Sequence, residues 1–162
     1  MTQINIVTDN VDRTVAELTQ LLRIGPWSIG TLNNQSVTDP GLLVNGELIA
    51  PEFHFQLGIS FIGNLEFEVI QPVKGPTLYH DYLEQHGCGD HHIKEVVSPE
   101  AWDETLEGYR NAGMKLSIKG QVGPTHFAYL ASKALFGFIV ELGDGLPADP
   151  LPDGYNEYQY PV

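Results

Sequence analysis

The chain carries the same arrangement of residues twice, and this duplication limits the folds open to it more than any other feature. Each half ends in an apolar, strand-like segment with a carboxylate inside it, Glu68 in the first half and Glu141 in the second. Each half also begins with a strand-like segment in which a ligand-type residue precedes an isoleucine, Gln3 in the first and His92 in the second. One amide, one imidazole and two carboxylates on corresponding strands form a set that is able to converge on one metal ion.

Between these shared features, both halves follow the order strand, helix, strand, strand, strand. Val11, Val15 and Leu18 recur at helical spacing behind the capping residue Asn10, and the flanking segments are strand-like. A repeat of about 75 residues indicates a pair of similar modules, because a solenoid needs three or more copies. The predicted strands are 2–8, 27–32, 53–61 and 65–71, then 91–97, 115–120, 125–131 and 136–143, with a short strand near 42–48 and helices over 11–22, 77–86 and 98 to about 111.

We therefore expect an α+β fold built from paired βαβββ modules. The tail holds four prolines and three tyrosines, which excludes a central strand or a long helix there, and we expect it to wrap the surface or to contact a second subunit. The predicted divisions are an N-terminal module over 1–73, a linker helix over 74–89, a C-terminal module over 90–145 and the tail over 146–162.

The charge balance excludes several classes of partner. Eight Lys and Arg residues stand against 21 Asp and Glu residues, a formal net charge of −13. Nucleic acids and anionic membrane surfaces both need a cationic footprint, so we expect neither as a partner. Cys88 is the only cysteine, which rules out an intramolecular disulfide and is consistent with a cytoplasmic location. No apolar run approaches the roughly 20 residues that span a bilayer.

Three segments carry a resemblance to a known superfamily. They are QINIVTDNVDRTVAELTQLLRIGPW at the start, LEFEVIQPVKGPTLYHDYLEQHGCGDHHI in the centre and FGFIVEL near the end. The first resembles the opening strand, helix and Gly-Pro-aromatic turn of the methylmalonyl-CoA epimerase-like branch of the vicinal oxygen chelate superfamily. The central segment resembles that branch's Glu-x-Ile-Gln-Pro strand, linker helix and Gly-x-His-His-Ile strand. The resemblance covers roughly residues 2–143 and is most specific in its central segment.

The resemblance implies a curved, mostly antiparallel sheet whose concave face holds a divalent metal ion. Glutamine stands where histidine is commoner in the family, so an amide oxygen replaces an imidazole at one ligand position. Oxygen-rich ligation with one imidazole suits Co²⁺, Mn²⁺, Ni²⁺, Mg²⁺ or Zn²⁺. The implied ligands are Gln3, Glu68, His92 and Glu141.

The activity that the resemblance implies is the exchange of a proton on a carbon next to a carbonyl, through a metal-stabilised enolate. Glu141 is the first candidate for the base. Epimerisation or racemisation also needs a proton carrier on the opposite face of the substrate, and the sequence does not rank the candidates. They are Glu47, Glu52, His54 and His126.

Two strand-alternation arguments refine the expected site. His91 and His92 are neighbours on one predicted strand, so their side chains should point to opposite faces, and His92 is preferred as the ligand. Glu66 and Glu68 are two residues apart and should share a face, which makes that face of the strand unusually acidic.

Three functions remain open at this point. The first is an epimerase or racemase acting on a small carbonyl compound; the acidic chain favours a neutral, ring-containing ketone, for example an isoflavanone such as dihydrodaidzein, over a CoA ester. The second is a glyoxalase I-type lactoylglutathione lyase, which uses the same metal and enolate chemistry. The third is a metal-free small-molecule binding protein of the bleomycin-resistance type. Both modules are present in one chain, and we expect a homodimer.

Overall fold

A computed structural model describes residues 1–34, 43–44, 47–48, 52–75, 77–122, 125–145 and 156–158. Among these residues, four α-helices accompany one mixed sheet of eleven strands. The elements are β1 (Gln3–Val7), α1 (Val11–Leu22), β2 (Trp27–Asn33), β3 (Leu43–Val44), β4 (Glu47–Leu48), β5 (His54–Ile62), β6 (Leu65–Lys74), α2 (Leu78–His86), β7 (Gly89–Val96), α3 (Trp102–Asn111), β8 (Leu116–Val122), β9 (Thr125–Leu130), α4 (Lys133–Phe136), β10 (Ile139–Gly143) and β11 (Asn156–Tyr158).

The order of the strands repeats the order of the modules. The sheet runs β11-β2-β5-β6-β1-β7-β10-β9-β8-β3-β4, and its eight central strands curl into a half-barrel. In each half the opening strand lies at the centre and runs parallel to the closing strand, β1 beside β6 and β7 beside β10. β1 and β7 then meet antiparallel in the middle. This arrangement confirms the predicted α+β fold with a curved, mostly antiparallel sheet, and it relates the halves by a pseudo-twofold axis between β1 and β7.

Helix α1 packs on what we call the outer face of the sheet. Asn10 accepts a hydrogen bond from the backbone N–H of Arg13 at 2.9 Å, as the capping pattern predicts. Val11 and Val15 are fully buried against Trp27 and Val69. The helix spans Val11–Leu22, as the sequence predicts, and Arg23 ends it by adopting the left-handed conformation, with φ +58°.

Helix α3 packs on the outer face of the second half in the same manner. Trp102 and Leu106 contact a buried cluster that includes Leu130 and Leu142. The predicted start at Ser98 is wrong in detail: Ser98 makes no side-chain capping bond, and a 3-10 turn over Pro99–Ala101 precedes the α-helix. The predicted final strand also begins later, at Ile139, because the short helix α4 precedes it.

The opposite surface, which we call the inner face, holds a separate apolar cluster. Val7, Phe55, Ile70 and Tyr129 belong to it, together with Tyr79 from the linker helix α2. Because α2 contacts β1, β6 and β7, it covers the inner face where the two modules meet. The aromatic side chains therefore fill one end of the half-barrel and leave the remainder of its inner face to polar side chains.

Both edges of the half-barrel carry an additional short strand. β11, from the tail, pairs with β2, and β3 pairs with β8 at the other edge. Asn156–Tyr158 of the tail thus form an edge strand, a position compatible with the exclusion of a central strand. Residues 146–155 and 159–162 lie outside the described residues, and a role for the tail in subunit contacts stays a prediction. Within the described part of the chain, no helix combines the length and apolar character needed to cross a membrane.

Gln71 of the Glu-x-Ile-Gln-Pro segment should stabilise the packing of α1 on the sheet. Its side-chain oxygen accepts a hydrogen bond of 2.9 Å from the backbone N–H of Val11, the first residue of the helix. We expect Gln71→Ala to lower the free energy of unfolding by about 1 kcal/mol, because this N–H then lacks its acceptor. Urea denaturation would measure the change. Gln20→Ala, on the exposed side of α1, is the matched control and should leave stability within about 0.5 kcal/mol.

Candidate active site

Strand register brings seven polar side chains together on the inner face. β1 lies between β6 and β7, so Gln3 stands opposite both Glu66 and Lys94. Two residues further along β1, Asn5 stands opposite Glu68 and His92. Lys94 in turn stands opposite Glu141 of β10. We call the set the inner-face cluster, and its members are Gln3, Asn5, Glu66, Glu68, His92, Lys94 and Glu141.

The cluster follows the pseudo-twofold relation of the modules. Gln3 stands opposite Lys94, and Asn5 stands opposite His92. The pseudo-twofold axis between β1 and β7 therefore makes Gln3 equivalent to His92 and Asn5 equivalent to Lys94. In the first module Asn5 donates a hydrogen bond to Glu68 at 2.9 Å. In the second, the Lys94 ammonium lies 3.3 Å from Glu141. Glu68 and Glu141 are therefore each held by a nitrogen donor from the central strand of their own module.

His92 lies between the carboxylates of Glu68 and Glu141. Its Nε2 is 2.9 Å from Glu141 Oε2 and 3.5 Å from Glu68 Oε2, although neither contact has the alignment of a hydrogen bond. Donor atoms around an octahedral ion with bonds near 2.1 Å are spaced by about 3 Å. Three of the four predicted ligands thus present atoms at a spacing compatible with one ion.

A β-bulge places His91 beside His92. Asn5 pairs with His92 but Ile6 pairs with Asp90, so His91 is the extra residue of β7. The expectation that the two histidines point to opposite faces is wrong for this reason: their Nδ1 atoms lie 2.9 Å apart. His91 packs against Tyr79 and Tyr82 of α2.

The bulge also brings the Nδ1 atoms of the two imidazole rings into hydrogen-bonding distance. Burial and the neighbouring His92 lower the pKa of His91 to about 3, so His91 is neutral at physiological pH. A protonated His92 would donate from its Nδ1–H to His91 Nδ1, and the 2.9 Å contact orients the His92 ring with its Nε2 facing the carboxylates of Glu68 and Glu141.

The charges of the cluster compensate one another. Burial and repulsion from Glu68 raise the pKa of Glu66 to about 8. Burial opposes ionisation of Glu141 as well, but Lys94 and His92 outweigh it and lower the pKa of Glu141 to about 2. Burial lowers the pKa of His92, yet the carboxylates of Glu141 and Glu68 more than offset this and raise it to about 8. Without a bound ion the cluster thus balances its charge by holding protons on Glu66 and His92.

Four buried atoms of the cluster lack a hydrogen-bond partner: Gln3 Oε1, Asn5 Oδ1, Glu66 Oε2 and His92 Nε2. Leaving a buried acceptor without a donor is costly, and a cation would satisfy two of these atoms, Gln3 Oε1 and His92 Nε2. The donor set, mainly oxygen with one imidazole, therefore fits the divalent ions expected from the sequence. In the described residues no three His, Cys, Asp or Glu side chains already surround one metal position, so the side chains would have to move apart to admit an ion.

Two of the predicted proton carriers lie away from the cluster. His54 begins β5, five residues from Ile59, which stands opposite Glu68; this separation is about 16 Å along the strand. His126 lies on the outer face, where its ring stacks on Trp102 and pairs with Asp144.

The other two carriers have different positions. Glu52 is exposed and pairs with Lys74. Glu47 lies in β4, and its side chain is outside the described part of the structure.

Sequence reasoning missed Asn5 and Lys94 as members of the site. Both follow a predicted ligand by two residues, Gln3 and His92 respectively, and strand alternation puts such residues on the same face. The signal was a lysine inside an otherwise buried strand, since a buried lysine requires a partner for its charge.

Solved structures with the same architecture support the resemblance to the superfamily. A methylmalonyl-CoA epimerase from Mycobacterium tuberculosis aligns with a TM-score of 0.66 at 13% identity, over 90% of this chain and 87% of that chain. A variant of the Streptomyces coelicolor epimerase, in complex with 2-nitronate-propionyl-CoA, aligns with a TM-score of 0.66 at 16% identity, over 88% and 94%. A methylmalonyl-CoA epimerase in complex with methylmalonyl-CoA and NH₄⁺ gives the same score and identity, over 88% and 92%.

These similarities establish the fold. No protein-family model matches the chain, and no curated protein matches it significantly by sequence. The chain has the vicinal oxygen chelate fold of these epimerases, as the resemblance of its sequence implies.

The metal-free protein should lose stability as the pH rises from 6.5 to 8.5; below pH 6.5 the loss from Glu66 is opposed by His91, whose lowered pKa makes its contribution rise with pH. Glu66 binds a proton more tightly when folded than when unfolded, so its contribution declines between pH 4.5 and about 8. The contribution of His92 is present below pH 6.5 and is lost through about pH 8. Melting temperatures in chelator should therefore fall by several degrees across this range. Glu66→Gln keeps an acceptor for Gln3 and should make the fall above pH 6.5 shallower, because His92 alone then contributes to it; an unchanged profile would contradict the assignment.

Proposed function

We propose that this protein is a metal-dependent epimerase that exchanges a proton on a carbon next to a carbonyl. The observation that carries the proposal is the position of His92 Nε2 on the inner face, within 3.5 Å of a carboxylate oxygen of Glu68 and of Glu141. The fold, which this chain has in common with methylmalonyl-CoA epimerases, supports it. The unpartnered oxygen of Gln3 supports the fourth ligand position.

The proposed ligands are Gln3 Oε1, His92 Nε2 and one carboxylate oxygen each from Glu68 and Glu141. A divalent ion held by them would supply positive charge next to the oxygen of the substrate's carbonyl group, which makes the neighbouring C–H bond more acidic. His91 would keep the His92 ring in the required orientation through the contact between their Nδ1 atoms. The backbone of the paired central strands would fix the spacing of all four donors.

Proton exchange on both faces of a carbon needs two carriers on opposite sides. Glu141 is the proposed base on one side. Glu68 is related to it by the pseudo-twofold axis and approaches from the other module, so we propose it as the second carrier in place of the distant His54 and His126. Glu68 is the more accessible of the two, with a side chain 14% exposed against 7% for Glu141.

The distribution of charge supports a neutral substrate. Of the eight Lys and Arg residues, Arg13, Lys74 and Arg110 pair with nearby carboxylates at the surface, and Lys94 is committed to the inner-face cluster. Phosphate groups need several free cations in one place. The cluster is flanked by Ile59 beside Glu68 and by Tyr129 beside Glu141. We therefore propose a ring-containing carbonyl compound of the isoflavanone type over a CoA ester.

The charge-balanced state of the cluster supports a second candidate function, a metal-free binding protein for small molecules. His92 and Lys94 together carry the charge that balances Glu141 and Glu68 without a bound ion. We further propose that the chain forms a homodimer, which light scattering on the full chain would test.

Metal content and proton exchange together test the first proposal. Elemental mass spectrometry on untagged protein should find about one divalent ion per chain. His92→Ala should abolish binding, because the imidazole ligand is lost. With an isoflavanone in deuterium oxide, Glu141→Gln should slow deuterium uptake at the carbon next to the carbonyl by roughly 100-fold or more, since the base is lost.

His126→Gln is the matched control, because this histidine lies on the outer face, and it should keep both metal and exchange. Protein that takes up no divalent ion on titration, yet binds an aromatic ligand, would favour the metal-free binding protein instead.

A further inference from the structure

Lys94 is a buried cation inside the candidate site. Its side chain is 7% exposed, and its ammonium lies 3.3 Å from Glu141 Oε1. On the neighbouring strand β1, the residue opposite Lys94 is Gln3. Among the residues that the structure describes, it is the only lysine or arginine of the inner-face cluster. The sheet itself does not require a charge at this position, because Asn5, at the equivalent position of the first module, is neutral.

The neighbouring strand is shaped to accept this lysine. Gly143 lies two residues beyond Glu141 on the same face of β10, and a Cβ atom there would stand 2.3 Å from Lys94 Cε and 3.0 Å from Lys94 Nζ. The first distance is too short for any real contact and the second is tight. The missing side chain of Gly143 therefore leaves room for the Lys94 stem on its way to Glu141.

The charges of the cluster give this lysine a role. In the form that would bind an ion, with all three carboxyl groups ionised and His92 neutral, Glu66, Glu68 and Glu141 contribute three negative charges and Lys94 one positive charge, a formal charge of −2 (−3 + 1). One divalent cation balances that charge. The carboxylate of Glu141 is shared, because its Oε1 contacts Lys94 while its Oε2 contacts His92.

We propose that Lys94 is a resident cation that competes with a divalent ion for Glu141 and thereby sets the charge and affinity of the site. This inference rests on the metal site of the proposed function. Lys94 repels an incoming ion and offers Glu141 an alternative partner, so it weakens metal binding while it stabilises the metal-free protein. It acts as a positioning residue for Glu141, and its effect on affinity is opposite to that of a ligand.

The test is a calorimetric titration of Mn²⁺ into the chelator-treated full chain, with melting temperatures measured on the same samples. Lys94→Met keeps the length of the stem and removes the charge. It should bind Mn²⁺ roughly tenfold or more tightly than the unmodified chain, and it should melt at a lower temperature in chelator. A lysine that only supports the fold would lower the melting temperature without tightening Mn²⁺ binding, and that result would overturn the proposal.

Two further variants protect the test against a simple folding defect. Gly143→Ala displaces the lysine without removing it, so Mn²⁺ binding should again tighten, by less than in Lys94→Met. The double variant Glu66→Gln with Lys94→Met removes one formal charge of each sign from the fully ionised cluster. It should recover most of the melting temperature lost in Lys94→Met and return Mn²⁺ affinity toward that of the unmodified chain. Failure of either variant to change in these directions contradicts the charge argument.

The melting temperatures also separate this inference from the proposed function. If no variant binds Mn²⁺ but the charge-paired double variant recovers stability in chelator, the metal site of the proposed function fails and Lys94 stands as the internal cation of a metal-free site. If the chain binds Mn²⁺ and Lys94→Met changes neither affinity nor stability, the proposed function survives and the role of Lys94 is excluded.

Discussion

The antiparallel pairing of β1 with β7 is the constraint on which the site depends. This pairing joins the two modules, and its register sets Asn5 opposite His92 and Gln3 opposite Lys94. Side chains alternate between faces along a strand, so a slip of one residue would move the polar set of one strand to the outer face beneath the helices. The parallel strands β6 and β10 then add their carboxylates from either side. The position of every member of the inner-face cluster follows from these pairings.

Much of this arrangement could be predicted because it depends on local patterns. Apolar alternation and capping residues identify the strands and helices, and the duplicated pattern relates Gln3 to His92 and Glu68 to Glu141. These pairs occupy equivalent places around the pseudo-twofold axis. Strand alternation also predicts that Glu66 and Glu68 share a face, and both belong to the inner-face cluster.

The remaining features depend on contacts between strands that are distant in sequence. The bulge at His91 arises from the register of β7 against β1, and it brings His91 to the side of His92 despite the alternation of an ideal strand. His126 looked equivalent to other strand histidines, but the packing of α3 and Trp102 shows that it lies on the outer face. The sequence shows a lysine inside a buried strand, but only the register of β10 on β7 identifies Glu141 as its partner.

The two halves of the site have the same frame and different charges. Glu68 is held by a neutral amide and Glu141 by an ammonium group, so a symmetric pair of strands presents two unlike carboxylates. A reaction that removes a proton on one side and returns it on the other needs unlike groups at the moment of transfer, because one must be ionised while the other holds the proton. The difference between Asn5 and Lys94 supplies that asymmetry within a duplicated backbone. It does so at positions next to the predicted ligands, which leaves the spacing of the ligands themselves unchanged.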